Sequence, residues 1–376
     1  SVFDSKPVNP QASGKQIYLA TGSQNVETSD EQNILMSASF PRIYGVLDGI
    51  RWLGDPLKLN DETSLRTASS KERFFFQDLI QSNQKAGRTF AIKTLDRDAC
   101  VLDAPLAEEA LQKLRLSPEN MPGVVESYLR RSLTLMRLFK PGAVVLRCVI
   151  VPHSNSGDSF FIGEFNHLPS AENADKRAFY NLQPDEHDQL KEWSKLPWPK
   201  NLAQRPEVRW FNKAYAEPAD QERLLHLVTG IEVILFKGDH DRSDLRHKFA
   251  LRGAWMLGAD YQTRRQVFRD LRKAYDLRLL VVHGSKNSFD RNDHLLADRT
   301  EEYLRRLISV TLSRPSDDSR TSIDDRILAG AGLGDKLPDL PPLPEEERQS
   351  GDTEHHPRRD DLQPRRDENQ TRGDSR

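Results

Sequence analysis

Cysteine is nearly absent: Cys100 and Cys148 are the only two in a chain of 376 residues. Two thiols are too few for a disulfide framework or a zinc module, and both sit in apolar, strand-like runs where a buried free thiol is expected. Long apolar runs are missing as well. No stretch approaches the ~18 consecutive apolar residues of a membrane span, and residues 1–6 hold no apolar signal-peptide core. The expectation is a cytoplasmic protein with no membrane partner. An excess of one charge is also lacking. With 55 Lys and Arg against 57 Asp and Glu the net formal charge is −2. Attraction to nucleic acid must therefore come from a local basic surface and not from the whole-protein field. Walker loops, Rossmann glycine fingerprints, GxSxG elbows and zinc spacings do not occur, so those enzyme classes lose support. No metal site and no cofactor is expected.

What is present divides the chain. Residues 1–30 are rich in Ser, Gln, Asn and Gly, with one short strand over 16–20. Residues 30–170 mix types and read as an α+β domain. Strands fit 88–93, 142–152 and 159–165, with turn chemistry at Asn155-Ser156-Gly157-Asp158, and helices fit 107–116 and 124–139. Beyond Pro199 helical spacing dominates almost to Leu312. Pro206 opens a helix to Ala216, and Asp220 can cap one carrying Leu224, Leu225, Val228, Ile231 and Leu235. Ser243 and Thr263 can start two more, and 295–312 fits a last helix. The spacing predicts an all-α bundle of four to five helices between Pro199 and Leu312. From 314 to 376 large apolar residues thin out, through the Pro338-Asp339-Leu340-Pro341-Pro342-Leu343-Pro344 run, and a disordered tail is expected.

Within the bundle region, Tyr275-Asp276-Leu277-Arg278-Leu279-Leu280-Val281-Val282-His283-Gly284 places an arginine and a histidine at the ends of an apolar run. A guanidinium can hold a phosphate through two parallel hydrogen bonds, and an imidazole can move a proton near neutral pH. Five positions on a helix nevertheless set two side chains about 140° apart. Convergence requires a helix-to-loop junction or a second chain. The bland alternative is a helix-end arginine and a capping histidine.

The surrounding order of motifs sharpens this. Trp210-Phe211-Asn212-Lys213-Ala214-Tyr215, then 224–235, then Lys248-Phe249-Ala250-Leu251-Arg252-Gly253-Ala254, then Tyr275 to Gly284 follow one another in the chain. Over residues 180–313 the sequence resembles an ApeA-like HEPN domain, of the HEPN ribonuclease superfamily. The resemblance implies a helical bundle that forms a homodimer and sets two Arg-x4-6-His motifs beside a shared cleft. It assigns the motif arginine to Arg278 and the motif histidine to His283, with RNA as substrate and no metal. His283 would act as base toward the 2′-hydroxyl or acid toward the leaving 5′-oxygen, and Arg278 would stabilise the phosphorane-like transition state. Products would carry a 2′,3′-cyclic phosphate. The implied setting is anti-phage or toxin-like defence, with a trigger ligand or protein at the amino-terminal domain. One position departs: active members often carry a polar residue after the motif arginine, and here it is Leu279. A catalytically inactive scaffold that binds nucleotide, RNA or a protein is the alternative from another class.

Four further residues are supporting candidates. Glu232 lies in an apolar stripe where an unpaired carboxylate would be costly, so pairing with Arg252 or Arg278 is expected. Asp276 is read as a helix cap or as a partner of Arg278. Lys286 and Arg291, with Arg305 and Arg306, are candidates for a basic, RNA-contacting rim. Asp239-His240-Asp241 is read as a solvated turn, and Trp210 and Trp255 as core.

Overall fold

The computed structural model describes residues 15–21, 42–52, 54–60, 63–85, 99–142, 144–152, 159–165, 180–217, 219–237, 239, 243–312 and 327. All of these belong to one compact unit that spans residues 1–339. The strand expected over 88–93, the turn at 155–158 and the tail with its proline run lie outside the described residues.

The amino-terminal half is built on strands β1 (Lys15–Thr21), β2 (Arg42–Asp48), β3 (Ile50–Arg51), β4 (Leu57–Lys58) and β5 (Ser64–Thr67), then helix α1 (Ser70–Lys85), β6 (Cys100–Pro105) and α2 (Glu108–Leu116). Helices α3 (Met121–Tyr128) and α4 (Arg130–Phe139), strands β7 (Val145–Pro152) and β8 (Ser159–Phe165), and β9 (Tyr180–Asn181) complete it. Among the described residues seven strands form one sheet in the order β1-β8-β7-β2-β6-β5-β4, with every neighbour antiparallel. The two expected hairpin strands are adjacent, from Cys148 opposite Glu164 to Pro152 opposite Phe160. Strand β1 pairs with β8, so the short strand of the Ser- and Asn-rich start belongs to this sheet. Ile43, Val46, Val101, Leu102, Val149 and Ile150 are buried, and so are both thiols. The single helix expected over 124–139 is two, divided at Leu129, whose φ of −111° and ψ of −33° depart from the helical pair.

The carboxy-terminal half is helical: α5 (Pro184–Ser194), α6 (Pro206–Ala216), α7 (Asp220–Leu235), α8 (Leu245–Leu257), α9 (Tyr261–Val282) and α10 (Arg291–Leu312). Each forms for a local reason. Gln183 and Glu186 make a reciprocal capping box ahead of α5, and Pro206 supplies the preset φ at the start of α6. Asp260, and not Thr263, caps α9, accepting the Thr263 N–H at 2.9 Å. Asp244, and not Ser243, precedes α8, with a left-handed φ of 47°. The inward faces meet in Phe211, Leu224, Val228, Ile231, Phe249, Val267, Leu271, Tyr303, Leu304 and Ile308, all fully buried. Burial of each such side chain contributes roughly 1.5–3 kcal/mol. Helices α8 and α9 cross closely at Gly253, where an added Cβ would collide with Leu271 Cδ1.

Helix α4 joins the two halves. The Arg137 guanidinium donates to Asn212 Oδ1 of α6 at 2.8 Å and to the Val144 carbonyl at 3.2 Å, and lies 4.1 Å over the Tyr215 ring. In return Arg305 of α10 donates to the Arg137 carbonyl at 2.9 Å, and the Tyr215 hydroxyl donates to the Gly142 carbonyl. The architecture is α+β, a sheet-centred half followed by helices.

Candidate active site

Helix α9 sets the geometry. At 22 residues it is roughly 33 Å long. Its buried stripe of Val267, Asp270, Leu271, Ala274, Tyr275 and Leu277 docks it on its neighbours. Arg278 follows that stripe, and its Nη2 lies 3.6 Å from Glu232 Oε2 on α7. That is an ion pair longer than a hydrogen bond. Among the described residues no hydrogen bond engages the Arg278 guanidinium; its Cζ lies 5.7 Å from the Tyr275 ring centre. Roughly a quarter of each side chain is open to solvent, 26% for Arg278 and 23% for Glu232. Burial, then the Glu232 carboxylate, raises the Tyr275 phenol above its ordinary range, against the pull of Arg278. A neutral phenol beside the guanidinium adds no second negative charge to that of Glu232.

His283 ends the helix. Gly284 has a φ of 69°, the left-handed conformation that glycine adopts at least cost. Its N–H donates to the Val281 carbonyl at 3.0 Å, and Ser285 N–H donates to the Leu280 carbonyl at 2.8 Å. These two bonds form the Schellman closure, which fixes where the chain leaves the helix. His283 is the C-cap residue and is exposed, flanked by Leu280 at 46% and Val282 at 56% exposure. Its φ of −85° and ψ of 4° stay close enough to helical values for the rotation of about 140° from Arg278 to hold. The two side chains leave opposite sides of one helix end.

The supporting candidates separate. Glu232 takes Arg278, whereas Arg252 goes to Asp239 at 2.8 Å and to the Leu235 carbonyl at 3.0 Å. Asp276 neither caps α9 nor reaches Arg278; it pairs with Arg246 of α8. The physical reason is helical rotation, since two positions put side chains about 160° apart. Lys286 is held by Asp293 at 2.7 Å and Asp290 at 3.4 Å, which compensates the charge offered to RNA. Arg291 is exposed at the start of α10. Arg305 and Arg306 are no rim: they are 3% and 8% exposed and bound to Glu301 and Glu302, because their face of α10 packs against the rest of the molecule. Asp239 is the described member of the 239–241 turn. Trp210 and Trp255 are half-buried and not core, each covered by a cation, Lys213 at 4.2 Å and Arg264 at 4.0 Å.

Four cations that the sequence reading passed over stand out. Arg265, Arg269, Arg272 and Lys273 are exposed on α9, and among the described residues none has an ion pair or hydrogen bond. The available signal was spacing, since 265, 269, 272 and 273 share one helical face.

Comparison of the chain with family models, curated proteins and solved structures finds no match. No helix of the described residues is long and apolar enough to cross a membrane.

Proposed function

We propose that the protein is a HEPN-type endoribonuclease whose sites are shared between two copies of the chain, with Arg278 and His283 as the reacting pair. The observation that carries this reading is the unsatisfied guanidinium of Arg278, steered by Glu232 and free of hydrogen bonds among the described residues, at the same helix end as an exposed imidazole. A bidentate arginine suits a phosphodiester, and an imidazole open to solvent suits transfer of the 2′-hydroxyl proton. The rotation between them argues for the second chain. Leu280 and Val282, exposed around His283, are the kind of surface that a twofold contact covers. Attack of the 2′-oxygen on phosphorus would expel the 5′-oxygen, which takes a proton, and leave a 2′,3′-cyclic phosphate. DNA would resist for want of the attacking hydroxyl.

The test uses purified full-length protein with RNA in EDTA. The unmutated chain should cleave, and Arg278→Ala and His283→Ala should each lose cleavage. Mixing the two inactive variants should then restore about one quarter of the activity, because half of the dimers are mixed and each of these rebuilds one of its two sites. Cleavage that survives Arg278→Ala, or no recovery on mixing, would sink the shared-site reading. The rival reading, an inactive scaffold, gains from Leu279 standing beside Arg278 and would show RNA binding with no cleavage by any variant.

A further inference from the structure

The exposed face of α9 carries more positive charge than the described carboxylates of α8 and α9 neutralise. Residues 245–282, which span α8 and α9, hold nine Lys and Arg against three Asp, a formal +6 in a chain whose net charge is −2. The three carboxylates are already committed. Asp276 binds Arg246, Asp270 is buried and accepts from the Tyr303 hydroxyl at 2.7 Å, and Asp260 caps the helix. Of the cations, Arg252 is buried against Asp239, Arg264 stacks on Trp255 and Arg278 faces Glu232. Arg265, Arg269, Arg272 and Lys273 are exposed and unpaired among the described residues. At about 100° and about 1.5 Å per residue these four occupy an arc of about 100° and an axial length of about 12 Å. Tyr261, 70% exposed, stands on the same face one turn before Arg265. His283 lies in phase with Arg265, about five whole turns further on.

We infer that this face is a track for single-stranded RNA, with Arg265, Arg269, Arg272 and Lys273 on successive phosphates and Tyr261 stacked on a base. The inference rests on the RNA-directed reading above and gives it a route by which a strand reaches His283. Cations in line with an aromatic are what a sequence-tolerant single-strand site needs, because charge follows the backbone and any base offers a face for stacking. A lipid surface would require aliphatic side chains among the cations. The exposed positions of α9 from 261 to 273 are Tyr261, Gln262, Arg265, Arg269, Arg272 and Lys273, none of them aliphatic, and the exposed Leu280 follows only about two turns after Lys273, toward His283.

The experiment reads binding and not cleavage. Full-length His283→Ala protein is titrated into a fluorescently labelled single-stranded RNA of about 20 nucleotides, with anisotropy followed from 50 to 200 mM salt. The triple change Arg265→Gln, Arg269→Gln, Arg272→Gln should weaken binding at least tenfold and lower the slope of log affinity against log salt by about 2, at roughly 0.7 per lost phosphate contact. Tyr261→Ala should weaken binding several-fold without altering the slope, and Tyr261→Phe should restore it. Arg209→Gln, an exposed cation on α6, should change neither quantity. Equal melting temperatures confirm that these surface changes leave the fold intact. Undiminished binding by the triple variant overturns the track, whatever the cleavage assay gives. Preference for vesicles of anionic lipid over RNA through the same residues overturns it too. If the unmutated chain never cleaves but the triple variant loses binding as stated, the nuclease reading fails and the track stands.

Discussion

Two arginines of the helical half face carboxylates from α7 or the turn that follows it, and they do opposite work. Arg252 is 5% exposed, pairs with Asp239 at 2.8 Å and donates to a main-chain carbonyl. Arg278 sits 3.6 Å from Glu232, is a quarter exposed, and has no hydrogen bond among the described residues. The first guanidinium is consumed by the fold. The second is aimed and left with donors to give, which is what a phosphate site requires.

The sharpest way to break this contrast is to remove each guanidinium in turn. Arg278→Ala should lower RNA cleavage by about 10³-fold, the scale of a lost transition-state donor, while costing less than about 1 kcal/mol of stability because the pair is partly solvated. Gel-based cleavage rates and urea unfolding of the same preparation measure both. Arg252→Ala should reverse the pattern, with about 3 kcal/mol lost in urea unfolding as the Asp239 carboxylate and the Leu235 carbonyl lose a buried charged donor. Equal stability losses in the two variants would erase the distinction.

A finer cut changes the acid. Glu232→Gln keeps the shape of the side chain but releases Arg278, so cleavage should fall about tenfold with little change in unfolding midpoint. Gly284→Ala touches neither pair. It strains the left-handed turn after His283 and should cost about 1 kcal/mol, while cleavage falls because the imidazole shifts. If activity were untouched, the placement of His283 would be irrelevant to the chemistry.

The smallest effect concerns acid. Burial holds the His226 imidazole below its usual value of about 6.5, against the opposing attraction of Glu217. The unfolded chain therefore binds that proton more readily than the folded one. The stability at stake is present above pH 6.5 and is lost as pH falls below it, toward the folded value. Unfolding midpoints measured from pH 7.5 to 5 should decline more steeply for the parent than for His226→Gln. Neither arginine pair contains a histidine, so both should persist through that window.

Helix periodicity was legible because burial demands it: Pro206, the stripe on α7 and the strands on either side of residues 153–158 all lie where spacing placed them. Partners were harder. The cost of a bare carboxylate in an apolar stripe narrows Glu232 to Arg252 or Arg278, and only the fold selects Arg278; Asp276, read as a cap or as a partner of Arg278, is neither, since it lies within α9 and a rotation of about 160° turns it away from Arg278. Arg305 and Arg306 looked like surface charge because the contacts that bury α10 come from distant segments, Arg137 among them. The exposed cations of α9 escape notice for the converse reason: their want of a partner among the described residues shows only in three dimensions. Arg278, His283 and the rotation of about 140° between them are read from the chain, and what the geometry adds is the left-handed turn at Gly284 that ends the helix at His283.

The grip of Arg305 on the Arg137 carbonyl has a mechanical consequence. The bond is made to main chain, so exchanging the side chain at 137 would leave that peptide oxygen in place and the tether intact. The link from α4 to α10 is therefore indifferent to the side chain carried at 137, and a substitution there probes the other contacts of that guanidinium while this one is kept.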